Sequence, residues 1–559
     1  MSKADIRIRA PGAVACDIEP PASPRPIPRR IGLRSIDAGT AFEPASAVRW
    51  TIAVGVTIAV LMDALNGTIF TIARPQIMGD ALATPDEASW VNTGYLIAKL
   101  TCLPSAAWIV DRIGEARAFL WSALTVVVAS ILCTLPIPLE TFVGARIIQG
   151  AAGAALLVSA QTILFRLFPS AKQGLTQAVY ALGVVMAPTT LVPAVQGWLT
   201  DDFSWTWVFW LNAALAPLAF LCLTPFWSRL PNTVRMRRPF DWIGFVLFSL
   251  AMTAIVYVLL QGPRWNWFEA AQITASTLVG AASLVAVVGW RIIGQKRSEL
   301  FDRSTFTDAH FGFGFFVSFV AGFALFGSAF LIPTYALNVL RMSAMDAGLL
   351  LLPSSLAVGT GLLIAGGLIN TKNLNPLKLV PLGIGLVMTA MWMLSWSNLD
   401  SGTHDLWAGL LIRGLGLGFL FLPVTLITLS GLQEEQVATG VGLFNFGRQM
   451  GGIIGISFLS TYLDHQIELN RRVLIKNIDP ASIPFLERQE AIAETLTSRG
   501  FDPGLADEGA AAVIQSTLQG QVAALSFNEA FFALVMLFVV AVPLILAFKL
   551  MQKISGWSH

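Results

Sequence analysis

Fourteen apolar runs of roughly 20 residues punctuate this 559-residue chain, each about the length an α-helix needs to cross a hydrocarbon core of about 30 Å. They begin near Trp50, Ser89, Ala118, Thr141, Thr176, Trp205, Asp241, Ala270, Phe311, Ala344, Leu377, Trp407, Thr439 and Phe527. Lipid offers the backbone no hydrogen-bond partner, so only helices and closed barrels span it. Runs this long and continuous exclude the alternating strands of a barrel. With 55% hydrophobic and 13% charged residues, the chain carries more apolar side chain than soluble domains can bury. The fold class is an all-α polytopic membrane protein with 14 transmembrane helices.

Charge is distributed by connection. Arg29, Arg30, Arg34, Arg166, Lys172, Arg235, Arg237, Arg238, Lys296, Arg297, Lys372, Lys378 and Lys553 fall in every second connection or at the ends. The alternate short connections carry Asp80, Asp86, Glu87, Glu140, Asp201, Asp202 and Asp400. The positive-inside rule then puts both termini in the cytoplasm, as an even number of spans requires. The connection at Glu434 and Glu435 breaks the pattern once.

The first 49 residues, rich in Pro and Arg and without an apolar h-region, read as a disordered cytoplasmic tail. Residues 50–228 hold six spans, 229–303 two linker spans flanked by basic loops around RMRR (235–238), and 304–559 the last six. A hydrophilic insertion at 465–526, with helical stretches at 485–500 and 508–525, separates the last two spans and falls outside the cytoplasm. It is either a solvated spacer or a docking surface. Trp265 and Trp267 fit an outer aromatic belt. Residues 147–163 can be laid on 411–427, with small residues at helical intervals in both, a pattern of helix packing and of repeated halves.

No P-loop, HExxH or nucleophile elbow occurs, and His310, His404, His465 and His559 are scattered at loops and ends. Cys16, Cys102, Cys133 and Cys222 lack metal-ligand spacing, and no cofactor, metal or nucleic-acid partner is indicated. Coupling to an ion gradient remains. At membrane depth one acid, Asp63, stands against Lys99, Arg146, Arg413 and Arg448, while Arg74 near an outer end fits a snorkelling role.

Several stretches carry a family likeness. AAWIVDRIGEARAF (106–119) resembles the loop signature of the major facilitator superfamily, with Asp111, Arg112, Gly114 and Arg117 as its gating-loop residues. ARIIQGAAGA (145–154) resembles its fourth-span signature and WTWVFWLN (205–212) its sixth-span start. Over residues 50–550 the chain is similar to fourteen-span drug/proton antiporters of the EmrB/QacA type, and FLPVTLITLSGL (421–432), VGLFNFGRQMGG (441–452) and SFNEAFF (526–532) lean toward the EmrB branch. The resemblance implies two six-helix bundles plus two extra helices, an inner-membrane location and proton-driven export of small molecules. It also implies a periplasmic membrane-fusion adaptor and an outer-membrane channel as partners, for which the 465–526 loop is the candidate contact.

Two departures matter. The first-span pattern, similar to L-D-x-T-I, reads Leu65, Asn66, Gly67, Thr68, Ile69, so the family's acid is an amide that cannot release a proton. Asp63 lies three residues earlier, about 4.5 Å along the same face, where it could take over the proton site. The fifth-span antiporter pattern keeps Pro193 and Gly197, beyond Pro188, but replaces its other glycines.

These residues lead to the expectation that Asp63 pairs with Lys99 or Arg146 and that its protonation frees the cation, a static ion pair being the competing reading. Candidate substrate-cavity residues are Asn66, Gln149, Gln161, Arg413, Asn445 and Arg448. The cation excess favours amphipathic neutral or weakly acidic compounds. An importer or facilitator of a small metabolite and a transport-inactive sensor or scaffold remain open beside the exporter.

Overall fold

The structure, a computed structural model, describes residues 46–230, 240–293, 305, 309–479 and 481–554. The tail before residue 46, the RMRR loop and Lys296 and Arg297 lie outside the described residues.

In chain order the helices are α1 (Ser46–Asp80), α2 (Pro85–Ile113), α3 (Glu115–Cys133), α4 (Leu139–Leu167), α5 (Gln173–Ala181), a π-helix (Leu182–Leu191), α6 (Val192–Asp202) and α7 (Thr206–Leu223). Then come α8 (Trp242–Gln261), α9 (Ala271–Ile293), α10 (Ala309–Asn338), α11 (Ala344–Leu349), α12 (Leu352–Lys372), α13 (Leu379–Leu394), α14 (Thr403–Leu429), α15 (Val437–Lys476), α16 (Ile483–Ser498) and α17 (Pro503–Ile554). No strand occurs among the described residues.

Twelve of the described helices are long and apolar enough to cross a membrane, and the pair Ser170–Thr189 and Val192–Asp202, bent by 45°, makes a thirteenth. The remaining run, near Thr439, lies in the 40-residue α15. Asn445, Arg448 and Gln449 dilute its apolar character, yet it packs lengthwise on α10 and against α2, completing fourteen.

Local sequence explains the turns. Thr84 caps α2 by accepting from the Glu87 amide, while the Glu87 carboxylate accepts from the Thr84 amide at 2.9 Å, and Pro85 occupies the first turn. A single residue, Gly114, joins α2 to α3 with φ +87°, a conformation that glycine adopts without a Cβ penalty. Pro188 lies inside the π-helix, where the regular backbone ladder is interrupted.

The two halves repeat a packing scheme. α4 lies against α2 and α3 as α14 lies against α12 and α13. A Cβ on Gly150 would strike the Tyr95 carbonyl, and one on Gly414 the Ser354 carbonyl. These two glycines are matched when 147–163 is laid on 411–427, so backbone contact recurs at the same register.

The halves meet along two seams. On one, Gly442 of α15 faces the Leu103 carbonyl of α2; on the other, Gly366 of α12 faces Gly174 of α5, and the Thr189 and Ser355 hydroxyls are 3.4 Å apart. α8 covers the first seam, with Tyr257 stacked on Trp90 at 5.4 Å and Phe248 against Phe446 at 5.9 Å. At its end Gln261 donates to Ser89, and beyond it Arg264 pairs with Asp86 and the Trp267 indole donates to Thr461 at 3.0 Å. The 465–526 insertion is helical: α16 packs on the first part of α17 through Ala493, Ala506 and Ala510.

Candidate functional site

In mid-helix α1, Asp63 is buried, and its Oδ2 accepts from Lys99 Nζ at 2.7 Å. Of the two cations open to it from sequence, Lys99 is the one it meets. The Tyr95 hydroxyl donates to Asp63 Oδ1 at 2.9 Å, and Lys99 Nζ also lies 3.3 Å from the Tyr95 oxygen, to which it donates. Tyr95 and Lys99 are four residues apart on α2, so one helical face presents both. Gly153 on α4 leaves the room: a Cβ there would press on Asp63 Oδ1. Of the buried acids among the described residues, Asp111 and Glu115 lie at the α2–α3 junction, and Asp63 alone lies in mid-helix.

Arg146 is wholly buried and serves a different set of groups. Its Nη2 donates to the Asn66 carbonyl at 2.7 Å, Nη1 to Gln149 Oε1 at 2.7 Å and Nε to the Val91 carbonyl at 3.3 Å. Its guanidinium lies over the Tyr95 ring at 4.4 Å, a cation–π contact. Gln149 donates to Ser130 at 2.9 Å, and Asn212 of α7 donates to both Ser130 and Asn66 Oδ1. Gln196 of α6 donates to the Leu65 carbonyl at 2.7 Å and accepts from Thr68. Asn66 and Gln149 are thus members of a polar lattice around Arg146 that ties α1, α3, α4, α6 and α7 together.

In the second half, Arg413 donates to Ser328 and Ser354, each at 2.9 Å, while its Nη2 has no hydrogen-bond partner. Arg448 donates to Asn445 Oδ1 at 2.6 Å, and Asn445 in turn donates to Gln161 Oε1 at 2.9 Å, a polar bridge from α15 to α4. Among the described residues neither arginine has an acidic partner.

The loop residues sit apart from this centre. Asp111 is buried at the end of α2, Arg112 lies over the Trp108 ring at 5.8 Å, and Arg117 is exposed. Beside them Glu115 pairs with Arg166, which also donates to the Glu434 carbonyl and so reaches across to the α14–α15 connection. Pro193 opens α6, and a Cβ on Gly197 would meet open space.

Sequence reading missed Tyr95, Ser130, Asn212, Ser328 and Ser354. The available signal for Tyr95 was its place one turn before a mid-span lysine; for the others it was a polar side chain in mid-span with no capping duty. Chemically, a carboxylate held by a hydroxyl and an ammonium can take up a proton and release the ammonium from its ion pair.

A profile of the Major Facilitator Superfamily matches residues 56–456. The fatty acid resistance protein FarB of Neisseria gonorrhoeae is 28% identical over 92% of this chain and 98% of its own. The multidrug export protein EmrB of Escherichia coli K12 is 26% identical over 90% of this chain and 95% of its own. The tetracenomycin C resistance and export protein of Streptomyces glaucescens is 30% identical over 77% and 79%. In fold, the chain is similar to the human organic anion transporter MFSD10, with a TM-score of 0.51 at 11% identity, covering 88% of this chain and 98% of that one. With its repeated halves and buried polar core, the chain belongs to the Major Facilitator Superfamily.

Proposed function

We propose that this protein is a proton-coupled secondary transporter that exports amphipathic drugs or toxic small molecules across the inner membrane, with both termini in the cytoplasm. The observation that carries the reading is the mid-helix carboxylate of Asp63 against Lys99, a titratable pair buried among helices that pack across the two halves. A buried ion pair contributes little net stability, so its retention at membrane depth fits a functional role. The names of the relatives, which speak of resistance and export, support the direction of transport. The cations Lys99, Arg146, Arg413 and Arg448 outnumber the mid-helix acid, which favours neutral or weakly acidic amphipathic substrates. The helical hairpin of α16 and α17 is the proposed contact for a periplasmic adaptor that leads to an outer-membrane channel.

Proteoliposome transport tests this reading. An imposed proton gradient should drive uptake of an aromatic weak acid into inverted vesicles more strongly than of a quaternary ammonium dye, and Asp63→Asn should reduce gradient-driven flux to that of empty vesicles. Full gradient-driven flux by Asp63→Asn would remove the coupling role, and a strong preference for the dye would overturn the substrate class.

A further inference from the structure

Tyr95 serves both states of its neighbour. Its oxygen lies 2.9 Å from Asp63 Oδ1 and 3.3 Å from the Asp63 backbone carbonyl, within reach of Lys99 Nζ on the same side. With Asp63 ionised, the hydroxyl proton points to Oδ1 and Lys99 donates to Oδ2 and to the Tyr95 oxygen. When Asp63 binds a proton, that new O–H needs an acceptor. Rotation of the Tyr95 hydroxyl toward the Asp63 backbone carbonyl exposes its lone pairs to Oδ1–H, so hydrogen bonding is kept with no heavy atom displaced. Lys99 keeps its three hydrogens and loses its anionic partner.

The ring has a separate duty, as the platform under Arg146. The titratable and charged groups around this site come from several helices: Tyr95 and Lys99 from α2, Cys133 from α3, Arg146 from α4, Tyr180 from α5 and, across the interface, Arg448 from α15. α6 and α7 bring the neutral amides Gln196 and Asn212 to α1. Among the described residues hydrogen-bonded to the Asp63 carboxyl, the Tyr95 hydroxyl is therefore the one that can both donate and accept.

We infer that Tyr95 is a positioning residue for proton coupling, its hydroxyl acting as a rotor that lets Asp63 gain and lose a proton and thereby hold or release Lys99. The inference rests on the proposed proton-coupled transport.

Tyr95→Phe keeps the ring and removes the rotor. A charge-assisted hydrogen bond outweighs a neutral one, so losing it favours the protonated carboxyl. The expected result is a midpoint for proton-driven transport about one pH unit higher than in the parent protein. A second readout is the carboxylic-acid infrared band of purified protein titrated with pH, assigned by its loss in Asp63→Asn; it should move upward with the transport midpoint. Gly153→Ala, whose Cβ would press on Oδ1, the oxygen that accepts from Tyr95, should displace the same band and covers the case in which Tyr95→Phe fails to fold. An unmoved midpoint and band in Tyr95→Phe, or an unmoved band in Gly153→Ala alone if Tyr95→Phe is lost, overturn the role of the hydroxyl. If Asp63→Asn itself retains gradient-driven flux, the proposed coupling fails instead.

Discussion

The two halves bury arginines at neighbouring levels of the same helix register yet surround them differently. Laying 147–163 on 411–427 matches Gln149 with Arg413. In the first half the residue one turn earlier, Arg146, is satisfied by two carbonyls, an amide and an aromatic face, and the carboxylate beside it belongs to Lys99. In the second half Arg413 has two serine hydroxyls and one nitrogen without a partner. One half holds a group that can change its charge, whereas the other holds charge that stays fixed, because a guanidinium does not release its proton under physiological conditions. The repeat supplies the scaffold, and the substitutions on it divide the labour.

The largest expected effect comes from breaking the titratable side. Lys99→Met strands a buried carboxylate and should cost about 3–5 kcal/mol in thermal unfolding of the detergent-purified protein, while the double variant with Asp63→Asn should recover most of that loss. If the single variant is as stable as the parent, the pair is not the electrostatic unit described. The fixed side should respond in the opposite sense. Arg413→Met should change stability by less than about 1 kcal/mol or raise it, since it trades a buried charge for apolar packing. Ser354→Ala, which leaves the charge and removes its acceptor, should cost about 1.5–3 kcal/mol in the same melts. A last pair of variants sharpens the shared scaffold. Gly150→Ala and Gly414→Ala should each cost about 1–3 kcal/mol by forcing α2 from α4 and α12 from α14, and the two losses should agree within about 1 kcal/mol. Unequal losses would mean that the halves do not share a packing register.

Much of the architecture was legible because its signals are local and repeated. A run of some 20 apolar residues declares a span by length alone, and Gly114, Thr84 and Pro85 mark turns by backbone chemistry that needs no tertiary context. α15 was recognised as a run despite Asn445 and Arg448, whose polarity falls on the face toward α4. The polar centre was only half legible. The sequence put Asp63, Lys99 and Arg146 at membrane depth, but the choice between two cations depends on how α1, α2 and α4 are rotated. That rotation follows from Gly150 and Gly153, at which the neighbouring Tyr95 backbone and Asp63 side chain crowd in. The π-helix was not legible at all, because a change of hydrogen-bond register leaves the apolar pattern almost untouched.

The helix α17 runs unbroken through 52 residues, from the polar hairpin into the last span. At 1.5 Å per residue it is about 78 Å long, more than twice the thickness of a hydrocarbon core. Pro543 interrupts its ladder well inside the apolar part, and no joint lies between that part and the surface packed on α16. One continuous helix therefore joins the surface packed on α16 to the part where Gly520 meets Leu399 and the Phe527 and Phe531 rings pack on Tyr335 of α10.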